Sequence, residues 1–227
     1  MVGFADEKAD RVRLVLLGPA GAGKGTQAKL LQDHFKIPQI STGDILRAAA
    51  QDDTALGRQA KEFMDRGELV PDSVMIGIVD ECLKAEECKN GFLLDGFPRT
   101  VAQAEAFQKM LERRHQDLDC ALSLRVPRGV LLDRLSGRWT CRECGTMYHE
   151  RFNPPKDASA CDRCGGELYQ RADDRKVTIE ARMEVYDRQS APLLEFFRKQ
   201  STVCDVDGAQ STEQVFQEIL RKLQKAG

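Results

Sequence analysis

The sequence has no long hydrophobic run, no large excess of either charge, no internal repeat and no low-complexity tract. Nowhere does it approach the roughly 18 consecutive apolar residues that favour a membrane-spanning helix. A net charge of -2 and a pI of about 6.0 give no electrostatic basis for nucleic acid or an anionic membrane as the main partner. We therefore expect neither nucleic-acid binding nor membrane binding.

The amino-terminal residues 1–11 also lack the apolar core of a secretory signal and carry Asp6, Glu7 and Asp10. We expect a cytoplasmic protein on this basis. A length of 227 residues allows one large domain, or one domain that carries inserts. With 41% hydrophobic and 31% charged residues, the composition is that of an ordinary globular protein.

The most informative motif follows the apolar stretch 14–17 and reads Gly18-Pro19-Ala20-Gly21-Ala22-Gly23-Lys24-Gly25-Thr26. An apolar run, a glycine-rich turn and a helix-like segment predict a strand–loop–helix that holds phosphate on backbone N–H groups. Lys24 adds a charge that reaches the outer phosphates. The usual pattern has Ser or Thr directly after the lysine, whereas here the hydroxyl arrives one place later, at Thr26. A plain glycine turn would not need the lysine, so we favour a nucleotide site.

Apolar runs alternate with segments of helical periodicity along the chain. The runs lie at 14–17, 37–40, 92–94, 121–124 and 203–206. This alternation predicts an α/β fold with a five-stranded parallel sheet flanked by helices. The last helix has one clear apolar face, and Ser211 with Gln214 predicts a capping box at its start.

Four of the eight cysteines form two Cys-x-x-Cys pairs, Cys141/Cys144 and Cys161/Cys164, with 16 residues between the pairs. This spacing predicts a zinc site of four thiolates inside a small inserted module. Four sulfur ligands leave no open coordination position, so the zinc is expected to be structural and to supply folding free energy. The alternatives are a redox pair, His149 in place of one cysteine, or a nucleic-acid-binding ribbon. Six basic against seven acidic residues between 137 and 174 argue against the ribbon.

Further motifs follow the second and third apolar runs. They read Ser41-Thr42-Gly43-Asp44-Ile45-Leu46-Arg47 and Leu93-Leu94-Asp95-Gly96-Phe97-Pro98-Arg99-Thr100, with Gln103 just beyond. Because parallel strands end at one crevice, Arg47, Asp95 and Arg99 are expected to converge on the phosphate loop. Arginines suit phosphoryl transfer because each planar fork grips phosphate oxygens; four more stand at Arg134, Arg138, Arg171 and Arg182.

Together with Tyr148, Phe152-Asn153-Pro154-Pro155 and Arg171-Ala172-Asp173-Asp174, these motifs resemble adenylate kinase from about residue 13 to the carboxyl terminus. The cysteine module resembles the long lid of the zinc-containing bacterial members. The resemblance implies the P-loop nucleoside-monophosphate-kinase fold and a monomer. It divides the chain into a core (1–40, 71–136 and 175–227), an AMP-binding subdomain (41–70) and the lid (137–174).

The resemblance also implies a role for each motif residue. It assigns catalysis to Lys24, Arg99, Arg134, Arg138, Arg171 and Arg182. The donor nucleotide would be held by Gly21, Ala22, Gly23, Lys24, Gly25, Thr26, Arg138, Met147, Tyr148, Arg171, Arg182 and the segment at Gln210. AMP would be held by Thr42, Arg47, Glu68, Leu69, Val70, Gly96, Phe97, Pro98, Arg99 and Gln103, with Gln103 on the adenine edge. Asp95 would order water around Mg²⁺.

The reaction implied is reversible phosphoryl transfer from Mg-ATP to AMP, giving two ADP, without a phosphoenzyme. Trp139 departs from the bacterial pattern next to the donor site. One alternative is therefore an AMP kinase that uses GTP. A second alternative, from another class, is a P-loop switch or binding module that carries a zinc ribbon. That module would need no monophosphate acceptor, and would leave Arg47, Arg99 and Gln103 unexplained.

Overall fold

The structure is a computed structural model, and it describes residues 12–51, 55–200 and 202–226. Its strands are β1 (Arg13–Leu17), β2 (Gln39–Ser41), β3 (Phe92–Asp95), β4 (Cys120–Arg125), β5 (Arg138–Cys141), β6 (Met147–His149), β7 (Leu168–Tyr169) and β8 (Val203–Asp207). Its α-helices are α1 (Lys24–Phe35), α2 (Thr42–Gln51), α3 (Ala55–Arg66), α4 (Asp72–Cys82), α5 (Val101–Arg113), α6 (Arg128–Ser136), α7 (Lys176–Val185), α8 (Pro192–Lys199) and α9 (Thr212–Ala226). The acidic segment 1–11 lies outside the described residues.

Five strands form one sheet in the order β2-β3-β1-β4-β8, and every neighbouring pair is parallel. The predicted five-stranded parallel sheet is confirmed. The second strand begins later than the apolar run 37–40 suggests, at Gln39. Pro38 has no N–H to donate to a sheet, so only its carbonyl takes part, accepting from Leu93 N at 2.9 Å.

The sheet is buried on both faces because alternate residues of each central strand enter two different cores. In β3, Phe92 and Leu94 pack into one core with α4, α5 and α8, whereas Leu93 packs into the other with α1 and α9. Such strands read as continuous apolar runs, because neither face meets water. This two-sided burial makes the strands recognisable in the sequence as continuous apolar runs.

The lid interrupts the α/β order with a small antiparallel sheet. The middle strand, β5, pairs with β6 on one side and β7 on the other. Four buried side chains form its core, with Trp139 and Cys144 packed against them: Cys141, Tyr148, Cys161 and Leu168. A core of this size supplies little hydrophobic free energy by itself.

Two local features complete the frame. A π-helical turn, Tyr186–Ser190, joins α7 to α8, and the Ala191 N–H donates to the Tyr186 carbonyl at 2.9 Å. The capping box predicted for α9 is confirmed: Ser211 Oγ accepts from Gln214 N at 3.3 Å, and Gln214 Oε1 accepts from Ser211 N at 3.2 Å. Within the described residues, no helix has the length and apolar character needed to cross a membrane.

Candidate active site

The phosphate loop connects β1 to α1 at the carboxyl edge of the sheet. Gly18 takes a φ of +141°, and a Cβ there would lie 2.9 Å from the Leu124 carbonyl oxygen, so a side chain has no room. The residue before α1 is Gly23, and no side chain caps the helix. Its first N–H groups are therefore the kind of donors that bind an anion at a helix start.

Lys24 folds back over this loop. Its Nζ donates to the carbonyls of Gly18 at 2.8 Å and Pro19 at 2.9 Å. The pKa of Lys24 is lowered to about 8, chiefly by burial; Asp95 acts in the opposite direction, and Arg99 and other arginines contribute to the lowering. Burial also raises the pKa of Asp95, although Lys24 opposes that shift. The lysine is a buried cation with only part of its charge compensated by the protein.

Three arginines are also cations whose charge the protein compensates only in part. Burial lowers the pKa of Arg99 and of Arg171 to about 10 each, and lowers that of Arg182 as well; repulsion from neighbouring arginines adds to each shift. Removing several like charges from water is unfavourable unless counter-charges accompany them. These four groups, Lys24, Arg99, Arg171 and Arg182, are here called the cation cluster. Its excess of buried positive charge fits an anion with several charges.

Two aspartates at the end of the lid partly neutralise the arginines. Asp174 accepts from Arg138 at 2.8 Å (Nε) and 2.5 Å (Nη2), and its side chain is only 3% exposed. Arg182 Nη1 lies 2.8 Å from an Asp173 carboxylate oxygen and 3.3 Å from Asp174 Oδ1. In the sequence, both aspartates belong to the motif Arg171-Ala172-Asp173-Asp174, which assigns them no role of their own. Their position directly after Arg171 is the signal that could have marked them as counter-ions.

Next to the cation cluster lies a cleft of about 590 Å³, here called the acceptor cavity. It is lined by Thr42, Gly43, Leu46, Arg47, Met64, Gly67, Glu68, Leu69, Val70, Met75, Gly96, Arg99, Gln103, Asp173 and Arg182. Of the residues predicted to hold AMP, all but Phe97 and Pro98 line it. Phe97 is fully buried in the core. Sequence reasoning missed the apolar wall made by Leu46, Met64 and Met75, because apolar residues on a helix give the same signal in any core.

Polar groups in the acceptor cavity are held by their neighbours. Thr42 Oγ1 donates to the Gly96 carbonyl at 3.0 Å, and Arg47 Nη2 lies 2.5 Å from Asp44 Oδ1. Gln103 is 1% exposed and accepts from the Arg99 N–H at 2.7 Å. The site therefore has fixed hydrogen-bonding groups at Thr42 and Gln103 and a cation, Arg47, that is paired with Asp44 on the same helix.

A second cavity of about 640 Å³ adjoins the first at Gly96, Arg99 and Arg182. It contains Lys24 and extends to Tyr186 and Ser190 of the π-helical turn. Pro98 lines this second cavity. Arg99 and Arg182 thus line both spaces. Of the residues predicted to hold the donor, Lys24 and Arg182 alone line the second cavity.

The lid lies against the phosphate loop. Lys29 Nζ donates to the Gly145 carbonyl at 3.1 Å, and a Cβ on Gly25 would lie 3.3 Å from Met147 Cε and 3.5 Å from Asp95 Oδ2. Arg171 Nε donates to Thr140 Oγ1 at 3.1 Å. Met147 is therefore close to the loop, whereas Arg171 is held by Thr140 within the lid.

The remaining predicted donor residues are more dispersed. Arg134 Nη1 donates to the Gly208 carbonyl at 2.8 Å, which brings α6 to the segment before α9. The Gln210 side chain donates to Glu218 at 2.9 Å. The Tyr148 hydroxyl lies inside the lid, 3.4 Å from Cys161 Sγ, and accepts from Asp162 N at 2.8 Å. The roles assigned to Arg134, Tyr148 and Gln210 at the donor stay predictions.

The four lid cysteines come together. Their Sγ atoms all lie within 4.8 Å of one another, with Cys141–Cys164 at 3.5 Å and Cys144–Cys161 at 3.6 Å. Tetrahedral zinc with Zn–S bonds of about 2.3 Å needs sulfur atoms about 3.8 Å apart. Gly145 and Gly165 follow the knuckles with φ of 64° and 76°, and their N–H groups donate to the Cys141 and Cys161 carbonyls. The cluster has the geometry and ligand set of a four-thiolate zinc site.

The fold and this site define the class: a P-loop nucleoside-monophosphate kinase, with an inserted lid and adjoining cavities around a cation cluster. The family model described as adenylate kinase matches residues 16–202. Similar curated proteins, each named adenylate kinase, come from Geotalea daltonii (53% identical over 213 residues, 94% of this chain and 100% of that protein), Carboxydothermus hydrogenoformans (50% over 214 residues, 94% and 100%) and Archaeoglobus fulgidus (50% over 214 residues, 94% and 99%). The chain belongs to the adenylate kinase family, whose members are phosphotransferases that catalyse ATP + AMP = 2 ADP. The resemblance found in the sequence is confirmed.

Proposed function

We propose that this chain transfers the terminal phosphoryl group of Mg-ATP to AMP and back, with ATP on the phosphate loop under the lid and AMP in the acceptor cavity. The observation that carries the proposal is the cation cluster beside the phosphate loop and the acceptor cavity. Four largely desolvated cations are unfavourable unless an anion of several charges completes them. Two nucleotides whose phosphates meet at this cluster supply such an anion.

On the donor side, the glycine-rich segment 21–26 would wrap the phosphates and Lys24 would contact the transferred group. Support comes from the uncapped start of α1 and from the weak carbonyl partners that now hold Lys24. A charged phosphate oxygen is a better acceptor than a carbonyl, because hydrogen bonds to ions are roughly twice as strong. Arg138 and Arg171 would approach from the lid.

Asp95 would hold the water ligands of Mg²⁺. Magnesium prefers oxygen ligands and retains several waters, and Asp95 Oδ2 lies beside the start of α1 at the end of β3. The Asp95 carboxylate therefore fits this ion. Bound with ATP, Mg²⁺ neutralises charge on the phosphate oxygens.

On the acceptor side, Arg47 and Arg99 would hold the AMP phosphate, and Gln103 the adenine. Support comes from the lining of the acceptor cavity. It includes both arginines and the buried amide of Gln103, which lies in the first turn of α5. Glu68, Leu69 and Val70 would contribute backbone contacts. These residues have no use in a switch or binding module, so the acceptor cavity favours the kinase over that alternative.

The chain's part in catalysis is then positioning and charge stabilisation. The transition state of phosphoryl transfer is loose, with charge on the equatorial oxygens of the transferred group. Lys24, Arg99 and Arg182 would stabilise that charge, and the acceptor phosphate oxygen would attack in line. No side chain forms a covalent intermediate. Closure of the lid excludes water, which would otherwise compete with AMP.

We also propose that the lid binds one structural Zn²⁺ through Cys141, Cys144, Cys161 and Cys164. The Sγ distances support it, as does the small core of the lid. With four thiolates in place, the metal has no open position for chemistry. A monomeric state and a cytoplasmic location complete the proposal, on the strength of the resemblance.

The decisive experiment is phosphorus NMR of the purified protein with Mg-ATP and, in separate samples, AMP, CMP, UMP or GMP. Fast appearance of ADP with AMP alone is expected. Turnover with another acceptor would move the substrate, and GTP in place of ATP tests the donor. Slow phosphate release that ignores every acceptor would contradict the proposal. A phosphoryl group trapped covalently on the protein would contradict the mechanism.

A further inference from the structure

We propose that Asp72 is a specificity-determining positioning residue, which fixes the orientation of the Gln103 amide and so selects adenine over a 6-oxopurine. The inference rests on the proposed function, because it assumes that Gln103 faces the base of the acceptor. Asp72 was not singled out by the sequence motifs. It lies in the first turn of α4, directly after Pro71.

The Gln103 amide is fixed from both ends by groups that cannot exchange roles. Its Nε2 donates to Asp72 Oδ1 at 2.7 Å, and its Oε1 accepts from the Arg99 backbone N–H at 2.7 Å. An ionised carboxylate only accepts, and a backbone N–H only donates. Both neighbours therefore require the same orientation of the Gln103 amide. The positions of the oxygen and nitrogen of a glutamine amide are assigned from hydrogen bonds of this kind.

Asp72 is itself held in place. Its second oxygen, Oδ2, accepts from Thr100 Oγ1 at 2.9 Å, and Thr100 Oγ1 accepts in turn from the Gln103 backbone N–H at 3.1 Å. Asp72, Thr100 and Gln103 thus form a closed ring of hydrogen bonds between the start of α4 and the start of α5. Because both carboxylate oxygens are engaged, Asp72 has little freedom to follow a rotating amide.

The ring leaves Gln103 with one hydrogen on Nε2 and one lone pair on Oε1 for a ligand in the acceptor cavity. Adenine presents a matching pair, the N6 amine as donor next to a ring nitrogen as acceptor. A 6-oxopurine presents an acceptor at position 6. The 6-oxopurine would place its O6 atom against Gln103 Oε1. The site therefore rejects a 6-oxopurine only if the Gln103 amide cannot rotate by 180° and present Nε2 to that oxygen. A polar site built in this way rejects the mismatched ligand strongly, because buried groups are left unpaired.

The test compares kcat/KM for AMP and for inosine monophosphate, with Mg-ATP as donor. Asp72→Ala removes the acceptor, whereas Asp72→Asn keeps an acceptor oxygen at the same place. Asp80→Ala is the matched control on the same helix, because Asp80 pairs with Arg114 away from the cavity. D72A is expected to lose about tenfold or more in kcat/KM for AMP and to change that for inosine monophosphate by less than about threefold. D80A is expected to keep a ratio near that of the unmodified protein. D72N, whose side-chain amide can present either an oxygen or an N–H to Gln103, is expected to give a ratio between those of the unmodified protein and D72A.

A second arm asks whether Asp72 acts through Gln103. In a Gln103→Met background, D72A should leave the AMP to inosine monophosphate ratio unchanged. An equal loss for both acceptors, or a persistent effect of D72A in that background, would overturn the proposal. Should D72A melt below the assay temperature, Asp72→Leu, which fills the volume, carries the same test.

Failure of this inference and failure of the proposed function are distinguishable in the unmodified protein. If the unmodified protein forms no ADP with any of the acceptors, the proposed function fails. If it uses AMP but does not discriminate against inosine monophosphate, only the inference fails.

Discussion

The helices α2 and α3 and the lid flank the cation cluster from two sides, yet they are stabilised differently. Leu46 of α2 and Ala60 of α3 are buried in the same core as Phe92 and Phe107 of the central fold. The lid has a separate core of four buried side chains, two of which are cysteines. The comparison indicates that α2 and α3 depend on the main core for stability, whereas the lid depends on its own small core and on the zinc site proposed at its four cysteines.

The largest effect expected from this difference follows removal of the lid metal. Apparent binding free energies of structural zinc are about 10–16 kcal/mol in small peptides, so chelation should strongly increase opening of the lid. Amide hydrogen exchange should accelerate within the lid, at 138–169, and stay unchanged in α3, at 55–66. The melting temperature should fall, whereas the turnover of enzyme that is still folded should change less. Cys161→Ser should reproduce this, and Cys204→Ser, outside the lid, should not. Loss of turnover at an unchanged melting temperature would mean that the metal has a chemical role.

Two leucine truncations sharpen the comparison. Leu46→Ala and Leu168→Ala each remove a buried side chain, which costs about 2–5 kcal/mol at the site of the change. Leu46→Ala should lower the melting temperature of the whole chain by about 4 °C or more, because its core is shared. Leu168→Ala should lower the main transition much less than Leu46→Ala does and should increase hydrogen exchange chiefly in the lid. Equal shifts of the main transition, seen by calorimetry, would show that the two regions unfold together.

A third prediction concerns Arg182, which contacts the end of the lid and lines the acceptor cavity. Arg182→Met should lower kcat by about 10²–10³, as loss of one donor to transition-state charge does elsewhere. KM for AMP should change much less. The control is Arg128→Met, because Arg128 is an exposed residue of α6 that pairs only weakly with Asp187. Steady-state kinetics that show a rise in KM with kcat preserved would assign Arg182 to ground-state binding.

The smallest effect concerns the contact that holds the lid to the phosphate loop. Lys29→Met removes the hydrogen bond to the Gly145 carbonyl, worth about 0.5–1.5 kcal/mol. The closed lid should become less populated, and KM for ATP should rise about two- to tenfold, with KM for AMP unaltered. Lys36→Met, at the end of the same helix, is the control. Parallel changes in both KM values would show that Lys29 does not act on the lid alone.

Much of the frame was predictable because its signals are local. The strands are buried on both faces and appear as apolar runs, and the phosphate loop needs glycines beside a lysine. The two Cys-x-x-Cys pairs, with 16 residues between them, could be assigned to one site because metal ligands follow a characteristic spacing. The partners of these groups were less predictable. The bonds from Asp72 to Gln103 and from Asp174 to Arg138 join residues 31 and 36 positions apart, and a carboxylate has the same appearance in a sequence whether it faces a partner or water.

The ion pairs made by Asp173 and Asp174 have a consequence for release of the products. A phosphate that binds Arg138 or Arg182, as the proposed function requires, would compete with Asp173 and Asp174 for guanidinium N–H groups. The two aspartates would then act as a tethered competitor, present at a fixed and high local concentration. They would lower the net affinity for both nucleotides and would replace the departing phosphates on the arginines. A reversible enzyme with nearly balanced substrates and products gains from such a competitor, because tight binding in either direction would slow the cycle.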